Sequence, residues 1–221
     1  MTSDASESTP PLLTVEGAVA TIRLNRRRHL NRIEPEDLAA LHALLDAVEA
    51  APAIRVLVLT GTGRAFSAGY HLGDIAARQA APAADEAPAG SGFQRLADRL
   101  EDLAVPTVGR LNGSVYGGAT DLALACDFRI GVEGSEVLAM GYLTDLVLAE
   151  ALDAAVAALA AILASNAPGA VRGMKRTINA IAHGALDAEA ARARHRDSLR
   201  GPEIEEGPRA FAAKRPPVFT G

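Results

Sequence analysis

The spacing of apolar positions changes several times along the chain, and each change marks an element. Residues 12–15 and 19–24 are short apolar runs around the turn residues Glu16-Gly17, which predicts a hairpin. Behind Pro35, Leu38, Leu41, Leu44, Leu45 and Val48 keep helical spacing, which predicts a helix to about Ala51. Residues 54–60 contain an unbroken Val-Leu-Val-Leu run, the pattern of a strand buried on both faces. Gly61-Thr62-Gly63 ends it, and residues 66–70 read as a loop. Residues 76–92 are rich in Ala, Pro and Gly and read as a mobile excursion. A helix is predicted over 93–103, stopped by Pro106, then a strand over 107–111 and a turn at Asn112-Gly113. Gly117-Gly118 opens a helix to about Ala125, followed by strands over 127–131 and 137–140. From Asp145 the pattern is helical: 145–165, 168–183 and 187–199. Strand–helix alternation followed by a helical tail predicts an α/β domain with a C-terminal helical region. Three units follow: a disordered polar tail over 1–10, an α/β core over 11–140 and the helical region over 141–221.

Composition narrows the function classes. The chain has 221 residues, enough for one domain with a sizeable core, and is 49% hydrophobic. Twenty-two basic against 27 acidic residues give a net charge of −5, which argues against a dedicated nucleic-acid binder. The single cysteine, Cys126, excludes an internal disulfide framework, fits a reducing compartment and reads as a small buried residue. Residues 146–164 are the most apolar stretch, but Glu150 and Asp153 interrupt it, so a membrane span is not expected. The polar, acidic start resembles neither a signal peptide nor a mitochondrial presequence, and a cytoplasmic location is expected.

Two strand-to-loop junctions could carry chemistry, Gly61 to Leu72 and Asn112 to Asp121, because ligands of open α/β sheets gather beyond the carboxyl ends of strands. In the second, Gly117-Gly118 precedes a helix whose first N–H groups lack intrahelical partners and favour negative charge. Asp121 follows Gly118 by about one turn, so a carboxylate sits close to an N–H donor. That pairing suits polarising a carbonyl while moving a proton beside it. The competing reading is a packing turn followed by an acid that complements the helix dipole. Gly61-Thr62-Gly63 has no continuation to a phosphate loop or a dinucleotide fingerprint.

The stretch VLVLTGTGRAFSAGYHL, followed by AVPTVGRLNGSVYGGATDLALACDFRI, resembles the enoyl-CoA hydratase/isomerase, or crotonase, family. Leu24-Asn25-Arg26 with Asn31, Met174-Lys175-Arg176 and the ending EGPRAFAAKRPPVF extend the likeness over nearly the whole chain from about residue 12. The resemblance implies an α/β fold, a crotonase-like ββα spiral with a C-terminal helical oligomerisation region. It implies an acyl-CoA thioester substrate and an enoyl-CoA hydratase (lyase) or double-bond isomerase activity of the fatty-acid-metabolism type. By motif position, the backbone N–H groups of Tyr70 and Gly118 form an oxyanion hole for the thioester oxygen, with Asp121 as acid/base. The Ala68 carbonyl falls where the family accepts from the adenine amino group, with Gly69 and Gly117 beside it. Arg26 falls near the CoA phosphates, and Phe211 and Lys214 match positions that meet CoA from a neighbouring subunit. No metal and no separate cofactor is expected, CoA entering as part of the thioester. The partners implied are that substrate and further copies of the chain, as a homotrimer or a dimer of trimers.

The departures from the family pattern bear on activity. Asp121 stands where many hydratases carry Glu, and His71 replaces the usual Asp of the Ala-Gly-X-Asp-Leu motif, as either a surface histidine or a titrating group. Tyr116 either lines the acyl pocket or only packs. His183 and His195 show no metal-ligand spacing, and the arginines at 192, 194 and 196 read as a solvated helix face. The largest departure is at Met140-Gly141, where two edges of the family pattern meet directly. In the family, about forty residues lie between them, with a glycine-rich loop, two helices and the second carboxylate. The expectation is that the protein carries this segment although the numbering runs straight across the junction. No residue takes the second carboxylate's role, which keeps open an acyl-CoA-binding or oligomer-forming paralogue without turnover.

Overall fold

The computed structural model describes residues 9–70, 92–135 and 141–219. Six strands form one sheet in the order β1-β2-β3-β5-β7-β8. They are β1 (Leu12–Glu16), β2 (Val19–Leu24), β3 (Val56–Gly61), β5 (Thr107–Leu111), β7 (Phe128–Val132) and β8 (Asp145–Val147). Only the β1–β2 hairpin is antiparallel; the other pairs are parallel. Every residue of β3 is buried, as its continuous apolar run requires of a strand covered on both faces. Period-2 alternation divides it between two layers. Leu57 and Leu59 pack with Leu41 and Leu45 of α1 (Pro35–Glu49) and Leu96 and Leu100 of α2 (Gly92–Asp102). Val56 and Val58 pack on the opposite face with Val108, Ile130 and α4 (Leu152–Ser165) through Val156 and Ala160. The short α3 (Ala119–Leu124) lies between β6 (Ser114–Val115) and β7. The chain ends in α5 (Pro168–Ala182), α6 (Ala188–Ser198) and α7 (Pro202–Ala212).

Local chemistry explains the boundaries. At the start of α1, Asp37 Oδ2 accepts from the Glu34 N–H at 3.0 Å within a capping box, and Pro35 occupies the first turn. Asp187 caps α6 by accepting from the N–H groups of Glu189 and Ala190. Cys126 is fully buried, and burial pushes its thiol up to about 12. Next to it, Asp127 Oδ2 takes the Thr107 N–H at 2.7 Å and meets the buried Lys175 ammonium at 2.8 Å, which ties α5 to the sheet.

Three sequence expectations change. Residues 145–147 are not helical: they pair parallel to β7 with Ile130 opposite Asp145, and α4 begins only at Leu152 after a 3-10 turn. The open edge of β7 offers unpaired N–H and C=O groups, and satisfying them outweighs a local helical pattern three residues long. Residues 66–70 are not simply a loop, because β4 (Ala65–Ser67) pairs in parallel with β6 as a second, two-stranded sheet. The apolar spacing predicts no helix beyond Leu199, yet α7 follows, with Pro208 in its interior. The expected strand over 137–140, the tail over 1–8, most of the excursion over 76–92 and His71 lie outside the described residues, as does Met140, one side of the junction. The 221-residue sequence continues directly into Gly141, and β7 is joined to its parallel neighbour β8 through residues 133–144.

Candidate active site

Both junctions lie past the carboxyl ends of adjacent strands, β3 and β5, and the small β4–β6 sheet binds one to the other. Ala65 pairs with Ser114 and Ser67 with Val115, and the Tyr116 N–H donates to the Ser67 carbonyl at 3.0 Å. Two asparagines hold the first loop from opposite sides. Asn112 Nδ2 donates to the carbonyls of Gly63 (2.8 Å) and Ala65 (3.0 Å), while its Oδ1 accepts from the Gly61 N–H. Buried Asn31 donates to the carbonyls of Thr62, Ala65 and Phe66. Gly113 passes so close that a Cβ there would lie 2.0 Å from the Arg64 carbonyl oxygen, so no other residue fits.

These contacts bring Gly69 against the start of α3. A Cβ on Gly69 would lie 2.9 Å from the Gly118 nitrogen and 2.8 Å from the Tyr116 carbonyl oxygen, and its φ of +81° also requires glycine. Tyr70 follows directly, and its backbone bridges to Ile33. At the entry to α3 the N–H groups of Ala119, Thr120 and Asp121 donate to the carbonyls of Tyr116, Gly117 and Gly118. The Gly118 N–H donates to no backbone carbonyl among the described residues. Asp121 is exposed one turn further along α3, with Leu124 beyond it. Behind the donors, Phe93 of α2 packs against the Tyr70 ring, centroids 5.8 Å apart.

The structure thus brings Ala68, Gly69, Tyr70, Gly117, Gly118 and Asp121 into one neighbourhood. Arg26 stands apart: its guanidinium is paired with buried Asp37 at 2.6 Å and with Glu36 at 2.8 Å, and the Asp37 hydrogen bond raises its affinity for the proton. Phe211 is 86% exposed, and Lys214, also exposed, follows the end of α7 with φ of +51°. Tyr116 is exposed beside Gly117. Sequence reasoning missed three supports of the site: Phe93, Asn112 as a two-sided brace, and Ser67, whose hydroxyl donates to Asn31 and accepts from Gly69. Asn112 and Ser67 lie inside the quoted motifs, but only the long-range hydrogen bonds reveal what they do.

The chain is similar to known proteins in both sequence and fold. The enoyl-CoA hydratase/isomerase family profile matches residues 14–135. A 1,2-epoxyphenylacetyl-CoA isomerase of Escherichia coli (strain K12) is 29% identical over 253 residues, taking in 94% of this chain and 97% of that protein. A crotonyl-CoA hydratase of Syntrophomonas wolfei is 30% identical over 126 residues, 57% of this chain and 47% of that protein. The crystal structure of an enoyl-CoA hydratase from Bacillus anthracis superposes with a TM-score of 0.81 at 25% identity, covering 96% of this chain and all of that one. The alignment with the E. coli protein spans 253 positions but takes in only 94% of 221 residues, so roughly 45 positions have no counterpart here. With the family profile matched over more than half of the chain and the fold shared, this protein is a member of the enoyl-CoA hydratase/isomerase family.

Proposed function

We propose that the protein processes acyl-CoA thioesters, as an enoyl-CoA hydratase or double-bond isomerase, through an enolate-like transition state. The N–H groups of Tyr70 and Gly118 hold the thioester oxygen, and Asp121 moves the proton. The observation that carries this reading is the contact of the Gly69 backbone with the Gly118 amide, with Asp121 one turn further on. Negative charge develops on the thioester oxygen as the α-carbon loses a proton in isomerisation or the β-carbon gains water in hydration, and donors fixed beforehand stabilise that state most. In isomerisation Asp121 takes a proton from one carbon of the acyl chain and returns it to another, so a single carboxylate suffices. Hydration normally uses a second carboxylate to orient the water, which leans the reading towards isomerisation. The Ala68 carbonyl, Gly69 and Gly117 belong to the CoA side of the site. Arg26 joins them only by releasing its present ion pairs, and Phe211 and Lys214 act on a neighbouring copy. CoA arrives as part of the substrate, no other cofactor is needed, and a cytoplasmic location belongs with the reading.

The exposure of Asp121, with no second carboxylate assigned, favours one alternative: binding of acyl-CoA without turnover. Spectrophotometric assays with crotonyl-CoA and with a 3-enoyl-CoA, beside direct binding of a CoA ester, separate the two. Asp121→Asn should lower kcat by about 10²–10⁴-fold, the usual scale for a general acid/base, with an unchanged circular dichroism spectrum. Full turnover in the variant removes Asp121 from the chemistry. Binding without turnover in the parent makes the alternative correct.

A further inference from the structure

Phe93 touches both halves of the candidate oxyanion hole. Its ring meets the Tyr70 ring at 5.8 Å and 46°. It also lies beside Gly118, where a Cβ would fall 3.1 Å from Cε1 and 3.3 Å from Cζ. It comes from neither junction: it stands in the first turn of α2, 7% exposed, and joins the same buried cluster as Tyr70 and Ala119. Gly118 has φ −60° and ψ −15°, an ordinary right-handed conformation that alanine adopts freely. Backbone conformation therefore does not require glycine at 118, but the Phe93 ring would have to give by a few tenths of an ångström to admit a Cβ there. A ring held against one donor's side chain and this close to the other donor's residue bears on how far apart the two backbones stand.

We infer that Phe93 is a positioning residue of the site, spacing the Tyr70 and Gly118 amides for one oxygen. This rests on the proposed oxyanion role of those two amides. Amide donors act over a narrow range near 3 Å, and a misplacement of about 1 Å can cost about 100-fold in rate. Shrinking the wedge should therefore lower kcat and leave substrate affinity nearly alone, because the CoA portion does not touch Phe93 in this reading.

The test uses the full chain and steric complementation. Phe93→Leu should lower kcat by about 10- to 100-fold with KM within about threefold. Gly118→Ala, which drives a methyl into the ring, should also lose activity. The double variant Gly118→Ala/Phe93→Leu should exceed Gly118→Ala alone, since the smaller side chain vacates the space the methyl needs. If Phe93→Leu does not fold, Phe93→Met, unbranched and able to adapt to an irregular gap, replaces it. The inference fails if Phe93→Leu keeps the parental kcat, if Gly118→Ala is fully active, or if the double variant merely multiplies the two losses. An arm independent of turnover measures the separation of the Tyr70 and Gly118 amide nitrogens in crystal structures of the parent and of Phe93→Leu. In Phe93→Leu that separation should change. If the parent turns over no CoA thioester and the separation still changes, the enzymatic reading falls and the spacing role stands. If the separation is unchanged, the spacing role falls.

Discussion

Lys175 is one of only two lysines in the chain, and it is buried. Its ammonium pairs with Asp127 and donates to the Val105 carbonyl at 3.2 Å, so one side chain joins α5, β7 and the approach to β5. Removing one member of such a pair strands the other without its counter-charge. Lys175→Met should therefore destabilise the fold by about 3 kcal/mol, the lower end for a buried pair. Asp127 keeps its Thr107 contacts and some exposure, which moderates the loss. A denaturation midpoint equal to that of the parent would mean the pair contributes nothing. The sequence names Lys175 only as part of a matching motif, since its partner is 48 positions away and no local pattern links them. Asp121 and Gly118 were legible for the opposite reason: a glycine pair and an acid one turn later state their relation within five residues. Phe93 was read only as the start of a helix, because its importance lies in what meets it from two other segments.

At the level of elements, length decided what could be read. β3, α1 and α2 carry long, regular apolar patterns, and the structure has them within a few residues of their expected limits. β4, β6 and β8 are only two or three residues long, too short for any periodicity, and exist because a neighbouring backbone supplies their hydrogen bonds. The α1–α2 contact makes a prediction of its own. Arg99 of α2 donates to His42 Nδ1 at 3.2 Å and to Asp46 and Glu49 at 2.6 and 2.9 Å. A ring nitrogen that accepts from a guanidinium belongs to neutral histidine. Burial first, and the Arg99 charge second, lower the His42 pKa below its ordinary value. The folded state thus resists a proton that the unfolded chain accepts below about pH 6.5. The His42 contribution to stability is complete above that pH and is lost as pH falls towards the lowered folded value. Urea midpoints taken between about pH 7.5 and 5 should fall less in His42→Gln than in the parent. Equal slopes would show that the contact does not titrate.

For the molecule as a whole, the surface carries more information than the core. The E. coli relative has roughly 45 aligned positions that this chain lacks, and here β8 is an edge strand followed by exposed Leu148. Among the described residues no single helix is long and apolar enough to cross a membrane. On α5, Met174, Ile178 and Ile181 form an exposed stripe at spacings of four and three, each more than half accessible. Ile162 on α4 and Ile204 and Phe211 on α7 add to the apolar surface of the helical region. Apolar surface of this extent on a folded chain is the mark of a face that another molecule covers, and identical chains most often cover one another in closed rings. We propose an oligomer built through the C-terminal helices, with the trimer or pair of trimers that the family resemblance implies as its form. The denatured chain, weighed first, gives the reference of 22.8 kDa for 221 residues. Light scattering at micromolar concentration should then give a multiple of that mass. Ile178→Glu combined with Met174→Glu should bring it down to the single-chain value with the circular dichroism spectrum unchanged, because charge on the stripe opposes association without touching the core. A parent that already scatters as one chain would assign the exposed stripe to something other than self-association.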